Sequence, residues 1–205
     1  MRPTALSPLL QYMAAPDTDD HARLFILQCV NDILTPYYLP DIKPMLESED
    51  QVIRAIGVTA ISTIEDPAVV PLLKEARQDD RPRVAFSALS GLAMQGDEDA
   101  RQEMTRLYVE NETMGDIPEI QIKREVVRAL VRDAQAEDLP LLKDALNQPW
   151  VEVNYRAAIV RALGRLGAEE DIPLLEESLD LQNEDAYGKL VRQAIESIQE
   201  RQGQA

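Results

Sequence analysis

Five arginines have the types and spacing that most resemble a recognition site. Arg124, Arg128 and Arg132 fall four apart, and Arg161 and Arg165 repeat the last two positions 33 residues later. On a helix, residues four apart share a face, and a planar guanidinium offers paired N–H donors that fit a carboxylate. If the two stretches stack side by side, Arg128, Arg132, Arg161 and Arg165 make a small square. Its chemistry is carboxylate capture, with an acidic segment of a protein partner as the ligand. Trp150 and Tyr155 lie between the two groups and offer aromatic anchors. The competing reading is a solvated face on which Glu125, Asp133 and nearby acids pair with the arginines. For Trp150 it is packing between helix layers.

The cluster stands out against the charge of the chain. Residues 121–165 hold eight basic and six acidic side chains, a net of +2, whereas all 205 residues carry 37 acids against 21 bases, a net of −16. The remainder therefore sums to −18. Such a field repels phosphate backbones and anionic headgroups, so neither nucleic acid nor a membrane is the expected partner.

Other reactive chemistry is sparse. The single histidine, His21, has no second His or Cys at metal-ligand spacing. The acidic pairs Asp79-Asp80 and Glu169-Glu170 sit where turns and helix starts are expected, so capping or solvation outweighs acid–base work. The sequence contains no Gly-rich phosphate loop, no Gly-x-Ser-x-Gly elbow and no dinucleotide fingerprint. No metal, no cofactor and no catalytic residue is expected, and the chain reads as a non-enzyme.

The elements that must position the arginines follow from internal repetition. A small residue followed by an aliphatic one recurs as Cys29-Val30, Ala60-Ile61, Ala88-Leu89, Ala129-Leu130, Ala162-Leu163 and Ala194-Ile195, in steps of 31, 28, 41, 33 and 32 residues. Around each pair the apolar residues keep helical spacing, as in Ile53, Ile56, Ala60, Ile61 and Ile64. Upstream lies a shorter helix marked by Pro and Leu: Ser7-Pro8-Leu9-Leu10, Val70-Pro71-Leu72-Leu73, Leu139-Pro140-Leu141-Leu142, Ile172-Pro173-Leu174-Leu175. Proline suits a first helical turn, whose N–H has no partner inside the helix. Asp138 and Asp171 stand two residues before their prolines, placed to cap those helices.

Asp-x-Pro-Leu-Leu, a turn, then Arg-Ala-Ala-x-x-Arg-Ala-Leu-Gly-x-Leu-Gly, best seen from Asp138 to Gly167, resembles the short HEAT repeats of the phycobilisome-lyase type. The resemblance implies an all-α solenoid of about six stacked hairpins, at 5–34, 37–65, 67–94, 98–134, 137–167 and 170–199, in one domain with a flexible tail at 200–205. It also implies a long concave surface on which the arginines would lie, and a scaffold, adaptor or assembly factor as the function. Bilin lyase subunits share such repeats. A lyase-like reading would place an anionic tetrapyrrole near Arg128, Arg161, Trp150 and Tyr155. An acidic inhibitor or immunity protein that masks a basic toxin is a further alternative. Iron-dependent hydroxylases built on HEAT repeats rely on repeated His-Glu pairs that this sequence lacks, so their activity does not carry over.

The remaining expectations are structural. Arg23, Arg54, Lys123 and Arg156 stand six residues before their pairs, with Asp19, Asp50 and Glu119 four residues earlier in three copies, and suggest an inter-repeat ladder. Cys29 occupies the alanine position of the other copies and is expected to be buried and inert. About ten extra residues at 109–120 are either a rim of the binding surface or an inert excursion. Tyr37 and Tyr38 are expected to seal the turn between copies one and two, and both end copies to show a polar outer face. One cysteine, no secretory-type leader after Met1 and no run of about 20 apolar residues make a cytoplasmic location the expectation. Oligomeric state is left open.

Overall fold

The computed structural model describes residues 6–179 and 185–203. Twelve α-helices alternate short and long across these residues, with no extended strand among them and one isolated bridge, Met114 to Ile117. In chain order they are α1 Leu6–Ala14, α2 Asp20–Val30, α3 Leu39–Leu46, α4 Gln51–Ser62, α5 Val69–Ala76 and α6 Pro82–Met94, followed by α7 Glu98–Val109, α8 Glu119–Val131, α9 Leu139–Leu146, α10 Val153–Leu166, α11 Ile172–Ser178 and α12 Asp185–Gln202. The fold is an all-α solenoid of six hairpins, and every small-aliphatic pair sits in the second helix of its hairpin. No helix among the described residues is long and apolar enough to cross a membrane.

The chain divides into two compact units, Met1–Met104 with Thr113–Glu119, and Thr105–Glu112 with Ile120–Ala205. In the first, α2, α4 and α6 form a row of second helices, with α1, α3 and α5 packed beside them. Leu10, Met13, Ile42, Met45, Ile53, Ile61, Ile64, Leu73 and Leu89 are fully buried there. In the second, α10 packs on α9 and α12, and Ile122, Leu142, Ile159, Leu163, Leu175 and Val191 form the core. Each such side chain contributes roughly 1.5–3 kcal/mol, available only when a neighbouring hairpin covers it.

Close helix approach rests on small residues. A Cβ built on Gly164 of α10 would lie 2.9 Å from the Ala194 Cβ of α12, so the two backbones meet where the pair alanine faces the preceding second helix. Ala60, Ala88, Ala129, Ala162 and Ala194 are all buried. Cys29 is not. It is exposed, since among the described residues no helix covers that register of α2.

The recurring cations do something simpler than the expected ladder. Arg23, 2% exposed, donates from Nε to Met13 O at 2.9 Å and from Nη2 to Ala15 O at 2.6 Å. Arg54 Nη1 reaches Ser48 O at 2.6 Å, and Arg156 Nη2 reaches Gln148 O at 2.6 Å. Lys123 meets Asn111 Oδ1 in the turn after α7. The three arginines therefore close the carbonyl end of the first helix within their own hairpins, where orphan acceptors and the helix dipole favour a cation, and Lys123 ties the corresponding turn through a side chain. Arg54 also bridges to the next hairpin, from Nε to Asp79 Oδ2 at 2.9 Å. Asp19 and Asp50 are instead N-caps, accepting from His21 N and Ala22 N, and from Val52 N.

Asp138 and Asp171 likewise do not cap α9 and α11. Both are buried and reach back across a 3-10 turn to Gln135 N at 2.8 Å and Ala168 N at 2.9 Å. Lys143 of α9 pairs with Asp171, linking the fifth hairpin to the sixth. The second-helix row has its own link. Gln95, after α6, donates to Ser62 O at 3.0 Å and Ile64 O at 3.1 Å at the end of α4. Arg201, at the same repeat position of α12, donates from Nη1 to Gly164 O at 2.5 Å and from Nη2 to Gly167 O at 2.8 Å at the end of α10. The polar end taken as a flexible tail is thus helical through Gln202, while 204 and 205 lie outside the described residues.

The insertion lengthens a helix and folds a turn. At 12 residues, α7 is a turn longer than the eight-residue α3, α5 and α9. Beyond it, Asn111 and Gly115 take positive φ, Ile117 is buried, and Arg83 Nε holds Asp116 Oδ2 at 3.0 Å. Gly115 lies so close on Pro82 that a Cβ would come within 2.5 Å of it. Of the two tyrosines expected to seal the first turn, Tyr38 is buried. Tyr37 is half exposed, with the rings edge to face at 5.1 Å.

Candidate functional site

The expected arginine square is only partly available. Arg128 of α8 is bound to Glu125 one turn back, with Nε to Oε2 at 2.8 Å and Nη2 on Oε1. Burial works to lower its pKa, but the charge and hydrogen bonds of Glu125 outweigh that and raise it. Tyr155 of α10 stands beside this pair. Its own burial raises its pKa, the Arg128 charge works the other way, and Glu152 and Glu125 add to the rise. Arg132 is exposed just past α8 and is engaged in an interaction of its own. Arg165 Nη2 donates to Ala134 O at 2.5 Å, again closing a helix end.

Arg124 and Arg161 differ. Both are exposed, and among the described residues no hydrogen bond or ion pair holds either. Arg161 lies on the rim of an open dish of about 470 Å³ between α10 and α12. Gly164, Arg165, Leu190, Gln193, Ala194, Ser197 and Arg201 complete it. The structure gathers Arg161, Arg165 and Arg201 around this dish. Arg201 was missed because it fell in a polar terminal stretch. The available signal was its register, seven residues after Ala194 as Gln95 is seven after Ala88.

Trp150 is half-buried with its ring tilted against Tyr108, centroids 6.3 Å apart. Tyr108, 5% exposed, donates to Asp144 Oδ2 at 2.7 Å, and the Lys123 ammonium sits 5.3 Å from its ring centroid. Burial first, then the Asp144 carboxylate, push the Tyr108 hydroxyl well above its ordinary pKa. Tyr108→Phe is expected to cost about 1 kcal/mol, the net worth of one such bond, because exposed Asp144 regains water. Urea unfolding checks this, with the Trp150 fluorescence as reporter. His21 is almost fully exposed beside Asp19, and Asp80, Glu169 and Glu170 are exposed at their turns.

The repeat geometry has a match among known families. A model of HEAT repeats matches residues 6–93 and again 39–114, together running from 6 to 114, more than half of the 205 residues. The chain belongs to the HEAT-repeat family. A PBS lyase HEAT-like repeat matches residues 155–180 of this HEAT-repeat protein, from α10 to the end of α11, the span that holds Arg161 and Arg165. No curated protein matches it. HEAT repeats are helical scaffolds that commonly serve protein–protein interaction, and that much of the function follows from the family.

Proposed function

We propose that this HEAT-repeat protein is a non-catalytic adaptor or assembly scaffold that holds an acidic protein segment in the dish between α10 and α12. The observation that carries the reading is Arg161, an exposed cation with no internal partner among the described residues, in a chain of net charge −16. Acids outnumber bases so heavily that an unclaimed arginine beside two others is a local reversal of the field. Arg165 and Arg201 each spend one or two N–H groups on helix-end carbonyls and keep the rest, since a guanidinium has five. Being already held, they lose little freedom when a carboxylate arrives. Leu190 and Ala194 supply apolar floor for the aliphatic parts of such a segment, and Gln193 and Ser197 supply hydrogen-bonding edges. Arg124 and Arg132 act as outlying cations that draw the segment in. Arg128 serves by holding Tyr155 and Glu125 in place.

The test is the affinity of a fluorescent peptide of alternating Asp, Glu and Leu, measured by anisotropy. Arg161→Glu is expected to weaken it by about tenfold, roughly 1.4 kcal/mol for a lost charge-assisted contact. Arg81→Glu, an exposed arginine beside Asp80 far from the dish in sequence, is expected to leave the affinity unchanged. Equal losses in both variants, or none at Arg161, would overturn the proposal.

A further inference from the structure

The first hairpin exposes a register that the second and third hairpins bury. In α2, Phe25 is 66% exposed, Leu24 51% and the Cys29 thiol is open. Ile33, in the turn that follows, is 55% exposed. Phe25, Cys29 and Ile33 are spaced by four and form one stripe along the helix and its extension. Their register in α4 is held by Ile56, Ala60 and Ile64, exposed by 4%, 0% and 0%, and in α6 Val84 and Ala88 are equally buried. The contact of Ala194 with Gly164 shows which way this register points: toward the second helix of the preceding hairpin. In α2 no helix among the described residues covers that side. The stripe keeps apolar residues with a small one at its centre, the pattern that a packed neighbour covers in α4 and α6.

The rim decides the chemistry of the occupant. Asp17, Asp19, Asp20 and Asp32 are all exposed at the two ends of α2. Across residues 6–37 the only Lys or Arg is Arg23, which is buried against helix-end carbonyls and Asp20. An occupant therefore meets an apolar centre flanked at both ends by carboxylates. Two copies of this chain placed face to face would bring those carboxylates together, so self-association is disfavoured on this surface.

We infer that the outer face of α2 is a docking site for an amphipathic helix of a partner protein, whose apolar stripe lies on Phe25, Cys29 and Ile33 and whose flanks are basic. The helix takes the place of a preceding second helix, with its backbone brought close over Cys29. This surface is distinct from the arginine dish and selects the opposite charge.

Cys29 is the only thiol in the chain, so its reaction rate with an aromatic disulfide reagent reports occupancy directly. Two synthetic peptides about 18 residues long, enough for a helix on docking, carry the same Leu/Ala stripe, one on a Lys/Arg background and one on a Glu background. The basic peptide is expected to slow the Cys29 reaction about tenfold at saturation, and the acidic one to leave it unchanged. Phe25→Glu is expected to weaken the basic peptide by about tenfold while helix content and melting temperature stay at wild-type values, since Phe25 supports no internal contact that the core needs. Four outcomes would overturn the inference: a thiol already slow in the free protein, equal protection by both peptides, no protection, or protection that grows with the protein's own concentration and runs with a dimer in sedimentation.

Discussion

Arg54→Met is expected to destabilise the first unit by about 3 kcal/mol, the cost of stripping one partner from a largely buried ion pair. Arg54 and Asp79 have side chains only 16% exposed, and Arg54 also closes the end of α3 through Ser48 O and Glu49 O, the latter at 3.0 Å. Methionine fills much of the same volume, so the loss is charge and hydrogen bonding rather than packing. The substitution leaves Asp79 with its backbone bond from Arg81 N at 2.8 Å and no cation.

The pH dependence of this loss distinguishes it from a packing defect. Burial works to raise the Asp79 pKa, but hydrogen bonds from Arg54 and Arg81 N, with the Arg54 charge, outweigh it and hold the group below its ordinary value of 3.8. A carboxylate with a depressed folded pKa stabilises the fold above its unfolded pKa, and that contribution fades as pH falls through the folded value. The gap between wild type and Arg54→Met is therefore expected at full size near pH 7 and to shrink below about pH 4. Denaturant unfolding at both values, with hydrogen exchange in α4 and α6 to locate the effect, measures it. A gap that stayed constant with pH would assign the loss to packing.

Gly91→Val is expected to cost about 3 kcal/mol for a purely steric reason. A Cβ on Gly91 would fall 2.2 Å from Ser62 Oγ, 2.8 Å from Leu73 Cδ2 and 3.0 Å from Ser62 Cβ. Ser62 and Leu73 are both fully buried, so neither can step aside into solvent. Alanine would gain about 1 kcal/mol of helix propensity, set against roughly 1–3 kcal/mol of overpacking. Valine gives up much of that gain through its branched Cβ and adds two more methyls. Combining Ser62→Gly with Gly91→Ala moves the small residue to the facing helix and is expected to recover part of the stability. A Gly91→Val protein that melts with the wild type would contradict the α4–α6 contact.

The repeat register was legible because close stacking forces the same small residue into each second helix. One missing Cβ separates Ala194 from Gly164, and that constraint shows in the sequence as the Ala-Leu pairs. Cys29 shows the limit of the same logic. Residue type places it correctly in the register, but burial depends on a neighbour, and among the described residues the first hairpin has none on that side. The roles of Arg23, Arg54 and Arg156 were misassigned for a related reason. Spacing identifies a recurring cation, yet its partners are carbonyl oxygens at the end of the preceding helix, which every sequence possesses and none displays. Asp138 and Asp171 were displaced by one turn because the 3-10 turn before each helix offers an N–H nearer than the helix start does. Arg201 was hidden by composition, since a polar terminal stretch reads as solvated until its register against Gln95 is taken into account. The choice among the arginines was not legible at all. Whether a guanidinium is bound by Glu125 or left open, as Arg161 is, depends on distances of a few ångströms.

The most direct measurement is a titration of isotopically labelled protein with an Asp/Glu-rich peptide, followed amide by amide in NMR. Shifts are expected to concentrate at 161–165 in α10 and 190–201 in α12, and to disappear in Arg161→Glu. Shifts confined to α1 and α2, spread evenly over exposed arginines such as Arg81, or absent altogether would contradict carboxylate capture in the dish.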